Sequence, residues 1–215
     1  MPALSYLHRF EPGSDLPAIG SAQAGSSAPP LLLLHGTGGD ENDLIPLGQK
    51  LSPGSALLSP RGDVLEQGMP RFFRRFAEGV FDLADVARRT QALADFVAAA
   101  ARQYGFDPAR LIALGFSNGA NIAASLLLLR PESLAGAALL RPMIVLEPKQ
   151  LPDLSGKRVL ISSGTADPIV PADHPARLAT MFRSAGAAVT LHSHAAGHGL
   201  VPADWTVTRK FLTPD

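Results

Sequence analysis

Apolar positions in this chain follow two rhythms. Residues 4–10 (LSYLHRF) alternate apolar with polar, which predicts an edge strand. Continuous apolar runs at 30–35, 55–62, 110–116, 135–142, 157–164 and 187–195 end in or near glycine or proline and predict buried strands. Between them lie helical patterns. In 82–105, Leu83, Val86, Leu93, Phe96, Val97 and Ala100 recur close to helical spacing, and Gly105 supplies a stop. Segments 118–130 (ended by Pro131), 174–186 (ended by glycine) and 201–212 predict three more helices. Residues 11–30 are rich in Gly, Ser, Ala and Pro and predict a loop rather than a linker between domains. Buried strands alternating with helices imply an α/β fold, a mostly parallel sheet covered on both faces, with residues 1–215 forming one domain.

Composition narrows the picture. The chain has 215 residues, of which 46% are hydrophobic and 18% charged, as in an ordinary globular domain. Its 19 Lys and Arg balance 19 Asp and Glu, which argues against a broad electrostatic footprint for nucleic acid or an anionic membrane. The absence of cysteine excludes disulfides and thiolate chemistry. The N-terminus lacks a basic stretch followed by an apolar one, and no apolar run is long enough to span a bilayer. A cytoplasmic protein, monomeric or a small oligomer, is expected.

In doubly covered parallel sheets, ligands sit beyond the carboxyl ends of the strands. The strand ends here carry His-Gly-Thr-Gly-Gly, Ser-Pro-Arg-Gly, Gly-Phe-Ser-Asn-Gly, Arg-Pro-Met, Gly-Thr-Ala-Asp and His-Ala-Ala-Gly-His. Gly115-Phe116-Ser117-Asn118-Gly119 fits G-x-S-x-G, in which a serine nucleophile stands on a sharp strand-to-helix turn. A serine hydroxyl needs a base, and the base needs a carboxylate to hold its tautomer. Asp167 leaves the strand 157–164 directly, whereas Asp173 resembles a helix N-cap, so position favours Asp167. Among His192, His194 and His198, the last lies beyond its strand between glycines and is the favoured base. A competing arrangement would use the three histidines with Asp167 or Asp204 as zinc ligands, but it leaves the serine turn without a purpose. Backbone N–H groups of Thr37 and Asn118 are the expected oxyanion donors. His35 is expected to orient the Thr37 loop. Arg71, Phe72 and Phe73, in an irregular connection, and Met143 are candidates for the substrate pocket. The alternative is a surface loop whose phenylalanines pin it to the core.

The four ordered stretches LLLLHGTGGDENDL, GFSNGA, GTADPIVP and AAGHGL resemble the small carboxylesterase/phospholipase family of α/β-hydrolases that includes the acyl-protein thioesterases. SPRGDVLEQGMPRFFRRFAEGVFD is similar to its bacterial branch, whose members are often encoded beside aromatic-degradation dioxygenases. The resemblance runs from about residue 30 to 212. It implies an α/β-hydrolase fold without a cap domain, a catalytic set of Ser117, Asp167 and His198, an oxyanion hole at Thr37 and Asn118, and neither cofactor nor metal. The family habit suggests a homodimer. Acyl-protein thioesterases usually carry Gly-Leu-Gly-Asp where this chain has Gly36-Thr37-Gly38-Gly39-Asp40, and Gln in place of Asn118, which points away from long-chain acyl proteins.

The expected activity is hydrolysis of a small carboxylic ester or thioester with a short or aromatic acyl group, through an acyl-enzyme. A chain of this length leaves no room for a lid, which suits short acyl groups. Two alternatives share the scaffold: a non-catalytic binding protein, and a lyase or cofactor-free oxygenase using the same residues.

Overall fold

A computed structural model describes residues 4–14 and 28–213. Its core is a seven-stranded sheet. β1 (His8–Glu11) pairs antiparallel with β3 (Leu57–Pro60), and β3 lies parallel to β2 (Leu31–Leu34). A short helix α1 (Ile45–Leu51) joins β2 to β3. After two hairpins come α2 (Leu83–Tyr104), β8 (Ile112–Phe116), α3 (Asn118–Leu129) and β9 (Gly136–Leu140). The hairpins are β4 (Val64–Glu66) with β5 (Met69–Arg71), and β6 (Arg75–Ala77) with β7 (Val80–Phe81). Then follow β10 (Arg158–Gly164), α4 (His174–Ser184), β11 (Ala188–His194) and α5 (Pro202–Leu212). The sheet order is β1-β3-β2-β8-β9-β10-β11, parallel throughout except for β1. This is the α/β-hydrolase architecture.

The apolar runs work because a strand buried on both faces has no polar side to offer. Leu32 and Leu34 enter one core with Ala113, Leu139 and Ile161, while Leu31 and Leu33 enter the other with Leu114, Leu140 and Leu160. Helices α2, α3 and α4 cover the first face, and α1 and α5 the second. α3 is buried nearly all round, lying between the sheet and α2, which explains its largely apolar sequence. α2 begins where the Asp82 side chain accepts from the Asp85 N–H and ends at Gly105 in the left-handed region, φ 76°.

Several expectations need adjustment. The first strand occupies His8–Glu11 rather than residues 4–10, and the glycine-rich loop placed at 11–30 lies mostly outside the described residues. α1 has no counterpart in the predicted elements. It is only about two turns long and contains Gly48, a poor helix former. Packing selects that glycine, because a Cβ there would press on the Leu33 and Leu57 side chains at 3.1 and 3.2 Å. The connection from residue 61 to 82 is not irregular but folds as the two hairpins. Gln67-Gly68 takes positive φ at both residues (52° and 82°), as a two-residue hairpin turn requires, yet Gln-Gly is a weaker turn signal than Asn-Gly. Among the described residues, these hairpins are the largest excursion between strands, and no helical cap stands over the sheet. No described helix is long and apolar enough to cross a membrane.

Among the described glycines, the closest approach to neighbouring backbone occurs where α3 starts. A Cβ on Gly119 would overlap the Leu34 carbonyl and sit 2.6 Å from the His35 carbonyl oxygen, so any larger residue pushes α3 away from β2. Gly119→Ala is therefore expected to destabilise the protein by at least about 1–3 kcal/mol, the usual range for an overpacked core. Urea unfolding monitored by circular dichroism checks this; an unchanged midpoint contradicts it.

Candidate active site

The chain runs from β2 to β3 on one side and then returns to β8 on the other, so the crevice where strand order reverses opens between β2 and β8. The loops after β2 and β8 carry Thr37 and Ser117, and both residues border a cleft of about 260 Å³ together with Asn118 and His198.

Ser117 stands between β8 and α3 with φ 52° and ψ −114°, a conformation that costs a residue with a Cβ about 1–3 kcal/mol. Its backbone is fixed from both sides. The Ser117 N–H donates to the Leu140 carbonyl at 2.8 Å, and the Ser117 carbonyl accepts the first helical hydrogen bond from Asn121 N–H at 2.9 Å.

Asp167 and His198 arrive together because their loops extend the β10–β11 pairing. The Thr165 N–H donates to the His194 carbonyl (2.8 Å) and the Ala166 N–H to the Ala196 carbonyl (3.0 Å). His198 Nδ1 then lies 2.8 Å from Asp167 Oδ2, and His198 Nε2 lies 2.8 Å from Ser117 Oγ. The three side chains form one hydrogen-bonded line. Asp173, at the start of α4, caps nothing with its side chain and pairs with Arg177 instead. His192 and His194 stack on each other along β11, and His194 Nε2 meets Ser162 Oγ at 3.1 Å. Among the described residues no cluster of His, Asp and Glu is arranged to hold a metal ion.

Burial of Asp167 works against its charged form. The Ile169 N–H (2.8 Å), the His198 ring and the Val170 N–H (3.1 Å) outweigh that penalty and leave the pKa below the ordinary carboxylate value. Burial likewise lowers the pKa of His35, favouring the neutral ring. That ring fits its contacts: one nitrogen meets the Gly36 carbonyl at 2.7 Å, and Nε2 accepts the Gly62 N–H at 2.9 Å.

The hairpin β4–β5 braces the two candidate oxyanion positions. Arg71, buried at the end of β5, donates from Nη1 to Thr37 Oγ1 at 2.5 Å, and the Pro70 carbonyl accepts the Gly38 N–H at 3.0 Å. The Phe72 N–H donates to Asn118 Oδ1 at 2.8 Å. Arg71 and Met143 border the cleft. Phe72 and Phe73 do not. They are 1% and 0% exposed and belong to the core, Phe72 against His35 and Phe73 against Phe81. Their rings point inward because the hairpins turn the chain over the end of the sheet. Phe81 and Phe116 line the cleft in their stead.

One pair of residues was not expected to meet. Arg141, at the end of β9, and Asp204, in the first turn of α5, form a fully buried ion pair behind the His198 loop. Arg141 also borders the cleft, and the sequence offers Asp204 only as a ligand in the alternative zinc site. Only their positions, a strand end and a helix start, hinted at proximity.

Fold and strand-end chemistry define an α/β-hydrolase. The chain belongs to the dienelactone hydrolase family, whose signature matches residues 69–205. It is 46% identical over 178 residues to "Putative hydrolase MhqD" of Bacillus subtilis (strain 168), covering 83% of this chain and 89% of that one. Among solved structures, the carboxylesterase of Bacillus cereus superposes with a TM-score of 0.90 at 43% identity, covering 97% of this chain and 93% of the other. The carboxylesterase of Mesorhizobium loti gives 0.82 at 35% identity, over 88% and 90% of the two chains. The protein is a hydrolase, and its likeness to carboxylesterases extends over nearly the whole chain.

The lowered pKa of Asp167 fixes the sign of its contribution to stability. A carboxylate whose folded-state pKa lies below its unfolded value of about 3.8 stabilises fully above that value. The contribution disappears as pH falls through the folded-state value. The difference in unfolding free energy between wild type and Asp167→Asn should hold constant above about pH 5 and close below it. Urea titrations across pH 3–7 check this; a gap that does not change with pH contradicts it.

Proposed function

We propose that the protein is a serine carboxylesterase acting on small esters with short or aromatic acyl groups. The observation that carries this proposal is the unbroken line of hydrogen bonds from Ser117 Oγ through His198 to Asp167, at 2.8 Å each.

Ser117 Oγ attacks the ester carbonyl carbon as its proton passes to His198 Nε2. The new C–O bond leaves the former carbonyl oxygen negative, facing backbone N–H groups of Thr37 and Asn118 at the head of α3. Asp167 keeps Nδ1 protonated and offsets the positive charge that develops on the ring. As the tetrahedral intermediate collapses, the bond to the leaving alcohol breaks and the alcohol takes the proton from Nε2. Water then gives a proton to Nε2 and its oxygen attacks the acyl carbon. The acid departs, Ser117 recovers its proton, and the enzyme returns to its starting state.

The cleft supports the substrate range. About 260 Å³ is modest, at or below the small end of typical ligand sites. Phe81, Phe116, Met143, Ile169 and Val170 supply apolar walls that suit a short chain or an aromatic ring. The likeness to carboxylesterases points the same way.

A fluorophosphonate is expected to label Ser117 alone, read by peptide mass spectrometry. Nitrophenyl butyrate should turn over faster than the palmitate ester. Asp167→Asn should lower kcat by about 10⁴-fold with little change in KM, because the ring then adopts the wrong tautomer. Labelling elsewhere, or a preference for palmitate, contradicts the proposal.

A further inference from the structure

We propose that Arg141 is a positioning residue for His198, holding the base in line with Ser117 by gripping the peptide groups on either side of it. The inference rests on the serine-hydrolase proposal above. It concerns the device that keeps that line of hydrogen bonds in register.

A guanidinium has five N–H donors in a rigid plane. In Arg141 all five are engaged. Nε donates to the Gly197 carbonyl at 3.1 Å and Nη2 to the Gly199 carbonyl at 3.1 Å, so the residues immediately before and after His198 are held by one side chain. Nη1 and Nη2 meet the two Asp204 oxygens at 2.7 and 2.8 Å, a fork-to-fork pair. The fifth donor reaches the Ser162 carbonyl at 3.3 Å. Asp204 completes the clamp by accepting from the Val201 N–H (2.8 Å) and from Ser162 Oγ (2.6 Å). The His198 loop is thus fastened at residues 197, 199 and 201.

Before His198 the loop is held by the Ala166 N–H to Ala196 carbonyl bond, and the His198 ring bonds Asp167 and Ser117, but no regular structure fixes the peptides on either side of it. His198 is flanked by two glycines, and residues 195–201 belong to no helix or strand. Glycine peptides visit many conformations and have no side chain with which to lock one. The fork adds that constraint from a buried position, since neither Arg141 nor Asp204 has any exposed side-chain surface.

The same strand end also holds the nucleophile. The Leu140 carbonyl accepts the Ser117 N–H at 2.8 Å, and the next residue, Arg141, reaches the carbonyls around the base. Arg141 adopts φ 56°, in the left-handed region that residues with a Cβ avoid. Two consecutive residues therefore set the Ser117 backbone and the His198 loop relative to each other.

A merely stabilising ion pair is replaceable by apolar residues of similar size, and a positioning fork is not. The test compares wild type, Arg141→Lys, and the double variant Arg141→Met with Asp204→Leu, which removes both buried charges together. Three readouts apply: kcat and KM for nitrophenyl butyrate, the rate of fluorophosphonate labelling at Ser117, and the low-field proton resonance of His198 Nδ1–H. The double variant is expected to fold, to lose about 10²-fold in kcat with KM held within about threefold, and to lose the resonance through solvent exchange. Its labelling should slow in parallel. Arg141→Lys keeps the charge but not the fork and should show the same pattern; it carries the test if the double variant does not fold. A folded variant with wild-type kcat overturns the inference, as does a loss of kcat with the resonance intact. Wild-type protein that takes no label at Ser117 overturns the hydrolase proposal instead, so the two failures are distinct.

Discussion

Ser117 occupies a strained backbone conformation (φ 52°, ψ −114°), and the geometry of the site depends on the surroundings that hold it there. The strain of about 1–3 kcal/mol is small beside the burial that offsets it. α3 brings Ile122, Leu126 and Leu127 into the core immediately after the turn, so releasing Ser117 would pull that helix off the sheet. Gly119 lets the helix approach the backbone of β2, and the Leu140 carbonyl takes the Ser117 N–H. The position of Ser117 is a by-product of core packing.

The remaining groups reach Ser117 by the same logic. Parallel strands point their carboxyl ends one way, so β2, β8, β9, β10 and β11 deliver their loops to one rim. β10 and β11 stay hydrogen-bonded past their ends, which delivers Asp167 and His198 as a pair rather than as two independent loops. A Cβ on Gly164 would overlap the Ala196 carbonyl, so glycine at the end of β10 permits that extension. Two backbone N–H groups and the His198 ring then keep Asp167 ionised in spite of its burial. Hydrogen bonds made by the main chain carry much of the electrostatics here.

Legibility from sequence followed the physics of each signal. The buried strands and α2 announce themselves through apolar runs and helical spacing, and Ser117, Asp167 and His198 are conspicuous at strand ends in a fixed order. Their mutual approach at 2.8 Å needed the three-dimensional structure. α1 was hidden because seven residues with an internal glycine give no periodic pattern. The hairpins were hidden because Gln-Gly and Glu-Gly are weak turn signals. Phe72 and Phe73 misled because aromatic residues beside arginines fit a pocket wall as well as a buried anchor, and only the hairpin path decides between them. Arg141 and Asp204 are 63 positions apart, and nothing local marks them as partners.

The central claim is that chemistry proceeds through a covalent bond at Ser117. Acid-quenching wild-type protein during turnover of nitrophenyl butyrate, followed by peptide mass spectrometry, tests it directly. The account predicts a butyryl increment on the peptide that contains Ser117, present during turnover and gone once substrate is exhausted. Steady hydrolysis with that peptide always unmodified, or with the increment on another residue, would contradict it.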